Sequence, residues 1–157
     1  MGNIMKENYE FMPSRQLKAF FKLIKDQYGE VPDNFKKTAF IRGKEKIYLI
    51  TRDIDKIDLK GLRMNSIGLY IAEVKHDQLR LCIEGAQLIG PTATKNVCEL
   101  TKEQLKKWFQ GEDIPVKEAY EGFVILKHNT DYVGSGKYKE GAILNFVPKA
   151  RRLIEVH

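Results

Sequence analysis

The chain is 157 residues long, enough for one ordinary domain or two small ones sharing a core. Its formal net charge of +6 and pI near 9.2 favour an anionic partner, with nucleic acid ahead of an anionic membrane surface. Two cysteines, Cys82 and Cys98, exclude a disulfide framework and lack the paired spacing of a structural zinc site, and no apolar run approaches the roughly 20 residues of a membrane span.

The N-terminus has no apolar signal core, and Lys6 occupies the position where a myristoylation signal at Gly2 needs a hydroxyl, so a cytoplasmic protein is expected. Pro13 and Ser14 open a segment in which Leu17, Phe20, Phe21, Ile24 and Tyr28 recur at helical spacing. Lysines 18, 22 and 25 fall on other faces, and Gly29 stands where such a helix stops. Thr38 to Ile41 and Lys46 to Thr51 flank Arg42-Gly43-Lys44-Glu45 as a β-hairpin, and Asp53 to Gly61 reads as a charged connector. A second hairpin is expected from Ile67 to Lys75 and from Leu79 to Ile83, across His76-Asp77-Gln78. Gly85 to Pro91 reads as a short helix or turn, and the polar residues after Gly90-Pro91 place a domain division near residue 92.

Val97 to Leu100 predicts a short strand. Thr101 and Gln104 then have the spacing of a capping box, with Leu100 and Leu105 as the accompanying hydrophobic staple. This helix has Leu105, Trp108 and Phe109 as its apolar stripe, Lys102, Lys106 and Lys107 on the remaining surface, and Gly111 at its end. Strands are expected over 122–127, 132–137, 142–147 and 152–156. There is no internal repeat. The pattern predicts an α+β fold with a small barrel at the C-terminal end, divided as 1–92 and 93–157.

The stretch from Val133 to Arg152 combines glycines, strand-forming apolar residues and fixed positive charge: Lys137, Lys139, Lys149, Arg151 and Arg152 against a single acid, Glu140. Lysine and arginine are the partners a phosphate chain requires, and Gly134 and Gly136 would let a nucleic-acid backbone come close. An NTPase phosphate loop is excluded, because Asp131 stands at its first glycine position and Tyr138 where the metal-binding hydroxyl belongs. A Rossmann-type glycine turn would join a strand to a helix, whereas this one lies among strands. No cofactor or metal is therefore expected.

His76 and His128 fall in turns and His157 at the end of the sequence, while both cysteines fall in strand patterns as small core residues. The carboxylates are dispersed, and no catalytic constellation emerges. What remains is binding. If the helix packs beside the barrel, its lysines and the basic β segment would together form a groove for RNA backbone. Tyr138 and Phe146 are candidates for base stacking, with Phe146 the more core-like of the two.

Leu105 to Ile114, followed by Gly122-Phe123-Val124-Ile125-Leu126 and Tyr132-Val133-Gly134-Ser135-Gly136-Lys137, resembles the PUA domain, an RNA-binding pseudobarrel. The tail, with Gly134, Gly136, Lys137, Gly141, Leu144-Asn145 and Pro148-Lys149-Ala150-Arg151-Arg152, is similar to the C-terminal PUA-like domain of the Sun/Fmu-type RNA cytosine-5-methyltransferases. The first half, ending in Leu79 to Ala86, resembles the pre-PUA domain of those enzymes and of the Nip-type ribosome-biogenesis factors. The resemblance implies binding of structured ribosomal or transfer RNA, with Asn145 joining the glycines, lysines and arginines as contact residues.

Those enzymes also need an S-adenosylmethionine domain with a catalytic cysteine beside proline, and the resemblance implies their RNA-handling appendage standing alone without it. Cys82 precedes Ile83 and Cys98 precedes Glu99, so neither resembles that motif. The expected function is non-catalytic RNA binding in ribosome biogenesis or RNA modification, with assembly or modification proteins as further partners and no membrane. An RNA-modifying enzyme, or its trans-acting subunit, and an assembly adaptor are the alternatives.

Overall fold

The computed structural model describes residues 9–50 and 68–152. The charged connector expected over 53–61, and the strand expected over 152–156 from residue 153 onward, lie outside the described residues. Among the described residues, two five-stranded sheets, each carrying helices, make up an α+β fold.

The first sheet has the order β1-β2-β3-β4-β5, from Glu10–Phe11, Phe40–Arg42, Lys46–Ile50, Gly68–Lys75 and Gln78–Leu81. Each of its neighbouring pairs is antiparallel. Helix α1, Ser14–Tyr28, buries Phe20, Ile24 and Tyr28 against it, as the periodicity predicts. Gly29 ends α1 at φ 93°, a left-handed conformation that suits glycine, and its N–H is bonded to the Lys25 carbonyl. Four rings clamp the helix to the sheet: Phe20, Phe21 and Phe35 each pack on Phe40 at centroid distances of 5.3, 6.0 and 5.2 Å.

The second hairpin turns more tightly than expected. His76 and Asp77 alone make the turn at φ 53° and 58°, while Gln78 already pairs with Lys75. Ile83 is not a strand residue but the first residue of α2, Ile83–Ile89, which passes through Gly90–Thr92 into the second half. Gly85 allows this helix to lie directly on the β4 backbone, since a Cβ there would run into the Ile71 carbonyl.

The second sheet has the order β6-β8-β9-β10-β7, from Val97–Glu99, Phe123–His128, Asp131–Lys139, Ala142–Leu144 and Ile114–Pro115. Helix α3, Lys102–Phe109, connects its two edge strands. Its capping box is present in full: Gln104 N–H donates to Thr101 Oγ1 at 3.2 Å, and Thr101 N–H donates to Gln104 Oε1 at 2.8 Å. Thr101→Ala is expected to lower stability by about 0.5–2 kcal/mol in urea unfolding, the usual range for a lost N-cap.

The sheet is buried on both faces. Register places Cys98, Val124, Leu126, Gly136 and Ile143 on one face, in the core around Trp108. Val97 and Ile125 lie on the other face, in the core of the first half with Ile24, Tyr28, Leu79 and Ile89. Hydrogen bonds cross the same junction. Tyr28 hydroxyl donates to the Phe123 carbonyl at 3.1 Å, Asn96 Nδ2 to the Gln27 carbonyl at 2.8 Å, and Ser135 Oγ to the Leu81 carbonyl at 2.7 Å. The two sheets thus share a core rather than merely touching.

The strand expected over 142–147 stops at Leu144 because side chains take over the backbone groups that follow. Asn145 N–H donates to Asp113 Oδ1, and Val147 N–H donates to Asn145 Oδ1, each at 2.8 Å.

Candidate nucleic-acid interface

The basic C-terminal stretch begins on β9, where alternation decides what each side chain meets. Gly136 lies inside, on the Trp108 face. A Cβ on it would strike the Leu144 carbonyl, with Ile143 Cγ2 at 2.6 Å and Trp108 Cη2 at 2.9 Å. Gly134 is also buried, with φ 125° and Ile83 and Trp108 over it. Both glycines were expected to admit an RNA backbone. Instead Gly136 makes room for the indole of Trp108, whose Nε1–H donates to the Val133 carbonyl at 3.3 Å, and Gly134 lies buried beside the same ring.

Three more of the expected contact residues are engaged within the protein. Asn145 Nδ2 donates to the carbonyls of Trp108 and Glu112 at 2.7 and 2.9 Å, tying the end of α3 to the segment after β10. Arg151 Nη1 sits 2.6 and 2.9 Å from the two carboxylate oxygens of Glu84 on α2. Arg152 Nε donates to the Val147 carbonyl at 2.9 Å, and its guanidinium covers Gly111. The expectation that only Glu140 offsets the basic cluster is corrected by Glu84, which is 67 residues away from Arg151 in sequence.

The lysines remain, and the sheet divides them. Lys137 is paired with Phe123 and Leu144, and Lys139 with Ala142, so both belong to the face opposite Gly136 and Trp108. Lys102, Lys106 and Lys107 belong to α3, which packs on the Trp108 face. The groove expected between helix lysines and strand lysines is therefore not formed: they lie on opposite sides of the sheet. Lys149 stands exposed on a 3₁₀ turn over Lys149–Arg151, beside the Arg151–Glu84 pair.

Where the halves meet, a cleft of about 210 Å³ is lined by Tyr70, Arg80, Cys82, Glu84, Phe146 and Arg151, with Trp108 and Gly134 also reaching it. The Arg80 guanidinium lies 4.5 Å from the centre of the Phe146 ring, and its Nη1 is 3.7 Å from Glu73. Phe146 is half-buried, with its other ring contact to Phe123 at 6.0 Å. Sequence reasoning passes over the Arg80–Phe146 and Glu84–Arg151 contacts because these partners lie in the other half, and spacing carries no signal across that distance. The one clue is local: Arg80 is a charge within an apolar strand pattern.

Burial pushes the Cys82 thiol up from its ordinary range, and its sulfur lies 3.1 Å from the Tyr70 carbonyl at the start of α2. Burial likewise raises Cys98, inside β6. At both thiols burial is the largest influence, and it disfavours the thiolate. Tyr70 is held far above its usual range by burial and then by Glu73. His128 is not an exposed turn residue: it ends β8 half-buried, with Nδ1 2.8 Å from the Leu100 carbonyl.

A helix strung between the edges of a five-stranded sheet, with its indole sunk among the strands, defines a PUA-like β domain behind an α+β partner. Residues 95–153 match the family described as the Methyltransferase RsmF PUA domain, so this segment is similar to that domain. Across the longer chain, similarity extends to proteins named ribosomal RNA small subunit methyltransferase F. Those of Aeromonas salmonicida and Aeromonas hydrophila are each 28% identical over 149 residues, covering 94% of this chain and 30% of theirs. That of Vibrio cholerae is 28% identical over 92 residues, covering 58% of this chain and 20% of its own. The chain thus spans about 30% of the length of the Aeromonas relatives.

Proposed function

We infer that this chain binds structured ribosomal RNA in the service of RNA modification, and that the residues present supply binding rather than methyl transfer. The observation that carries this reading is the similarity of residues 95–153 to the PUA domain of the RsmF type, in a protein of net charge +6. We assign the pre-PUA unit to 1–92 and the RNA-contacting unit to 93–157, working as one body through their shared core. The contacts on this half are lysines, since the two arginines and Asn145 are held by the protein itself. They act on phosphates, which fix position and leave sequence choice to other contacts.

The test uses the full chain and purified small subunit ribosomal RNA, titrated at several salt concentrations. Each lost phosphate contact lowers the slope of log affinity against log salt by roughly 0.7–0.9. The pair Lys137→Gln/Lys139→Gln is compared with the triple Lys102→Gln/Lys106→Gln/Lys107→Gln. Because the two sets occupy opposite sides of the sheet, one set is expected to lower the slope and the other to leave it unchanged. If both leave it unchanged, RNA does not bind through this half.

A further inference from the structure

The outward face of α1 carries a stripe of positive charge that the C-terminal half does not account for. Arg15, Lys18, Lys22 and Lys25 are spaced by three and four residues, so they align along one side of the helix, and all four are exposed. At 1.5 Å per residue they stand about one turn apart. The remaining exposed positions of α1 are Ser14, Ala19 and Asp26. Asp26 is the only acid among them, and it pairs with Lys22. Among the described residues, Arg15, Lys18 and Lys25 have no ion-pair partner.

Two features separate this stripe from an ordinary solvated helix face. The first is its position along the helix. The first turn of α1 has no acid and its N-cap, Pro13, supplies no side-chain bond, while Arg15 and Lys18 place positive charge near the positive end of the helix dipole. That arrangement is unfavourable for the isolated helix and becomes favourable when an anion lies along it. The second is its continuation. At the C-terminal end of α1, Thr94 N–H donates to the Tyr28 carbonyl at 2.8 Å and Asn96 Nδ2 to the Gln27 carbonyl at 2.8 Å. Lys95, exposed, stands between these two anchors, next in sequence to residues bonded to the last turn of α1, which also carries Lys25. The positive line runs from the start of α1 into the first residue of the PUA segment.

The geometry points to α1 as a second phosphate-binding surface, formed by Arg15, Lys18, Lys22 and Lys25 and extended by Lys95, along which an RNA backbone passes from the N-terminal half onto the PUA domain. The reading rests on the chain being an RNA binder. An anionic membrane is the less suitable partner, because a helix that lies in a lipid interface needs a free apolar face. The apolar face of α1, with Phe20, Ile24 and Tyr28, is buried in the core.

The test compares two full-length variants of equal net charge. One carries Arg15→Gln, Lys18→Gln, Lys22→Gln and Lys25→Gln. The other carries Lys36→Gln, Lys37→Gln, Lys44→Gln and Lys75→Gln, which are exposed elsewhere on the same half. Glutamine is a good helix former, and both variants are expected to melt close to the parent. With small subunit ribosomal RNA as the probe, the α1 variant is expected to lose about three units of salt slope, at roughly 0.7–0.9 per contact, and the matched control less than one. Equal losses in the two variants would overturn the proposal, since the effect would then be net charge alone. No loss in the α1 variant, while the parent still binds and still responds to the lysines of the C-terminal half, overturns this surface but not the RNA reading. Absence of binding by the parent overturns both. Phosphatidylserine vesicles form a parallel arm: α1-dependent vesicle binding with an unmoved RNA slope would assign the face to a membrane instead.

Discussion

Replacing Trp108 with alanine is expected to lower stability by about 3–5 kcal/mol, the range for removing a large buried aromatic. Trp108 is fully buried, and the core around it draws on Cys98, Ile114, Val124, Leu126 and Ile143 from all the other strands of its sheet beside β9. Truncation opens a cavity that these strands cannot close without breaking their ladders, and it leaves the Val133 carbonyl without its indole donor. For a chain of this size the loss corresponds to a fall in melting temperature of roughly 6–20 °C, readable by circular dichroism. Trp108→Phe separates the two contributions, since it restores much of the ring volume but not the N–H, and a loss of about 1–3 kcal/mol is expected from the unpaired carbonyl and incomplete filling. A Trp108→Ala loss below about 1 kcal/mol would mean that α3 does not hold the sheet together.

What was legible in the sequence follows from how far apart the deciding residues lie. The α3 cap is written in four consecutive residues, Thr101 to Gln104, and the stop of α1 in one, Gly29; both appear as read. The first hairpin and the alternation of Leu79 and Leu81 are equally local, since strand period and turn chemistry act over a few residues. The candidate site depends on longer reach. Whether Gly134 and Gly136 face solvent or core is decided by Trp108, 26 and 28 positions away, and by an irregularity in the β8–β9 pairing next to Leu126 that shifts the register. Whether Arg151 is free is decided by Glu84 in the other half. A glycine beside a lysine has the same local pattern whether the glycine receives a phosphate or an indole, so no reading of the β9 segment alone separates the two. The α1 stripe shows the opposite case. Its spacing is local and visible, but its meaning depends on the anchors that flank Lys95 at the end of the helix.

Gly136→Ala sets the two readings of the glycine-rich strand against each other. If Gly136 served to let RNA approach, the substitution would leave folding intact and weaken binding. The structure predicts the reverse. An added methyl normally favours a strand interior by roughly 0.5–1 kcal/mol, because alanine gives up less backbone entropy than glycine. Here that gain is outweighed. The methyl would run into the Leu144 carbonyl, which cannot withdraw without disturbing the pairing of Leu144 with Lys137 and of Ile143 with Tyr138. The ring of Trp108 blocks the other direction. Overpacking of this kind costs about 1–3 kcal/mol and more where the obstacle is backbone, so a net loss near the top of that range is expected in urea unfolding. Gly134→Ala is a useful companion. Its methyl would meet nothing closer than 3.6 Å, but φ 125° is a conformation that residues with a Cβ rarely adopt, so strain rather than collision lowers stability, by about 1–3 kcal/mol. Below their unfolding transitions both variants are expected to bind small subunit ribosomal RNA with the parent's affinity and salt slope. A Gly136→Ala protein that melts normally yet loses RNA binding would return the glycine to the interface and remove it from the core.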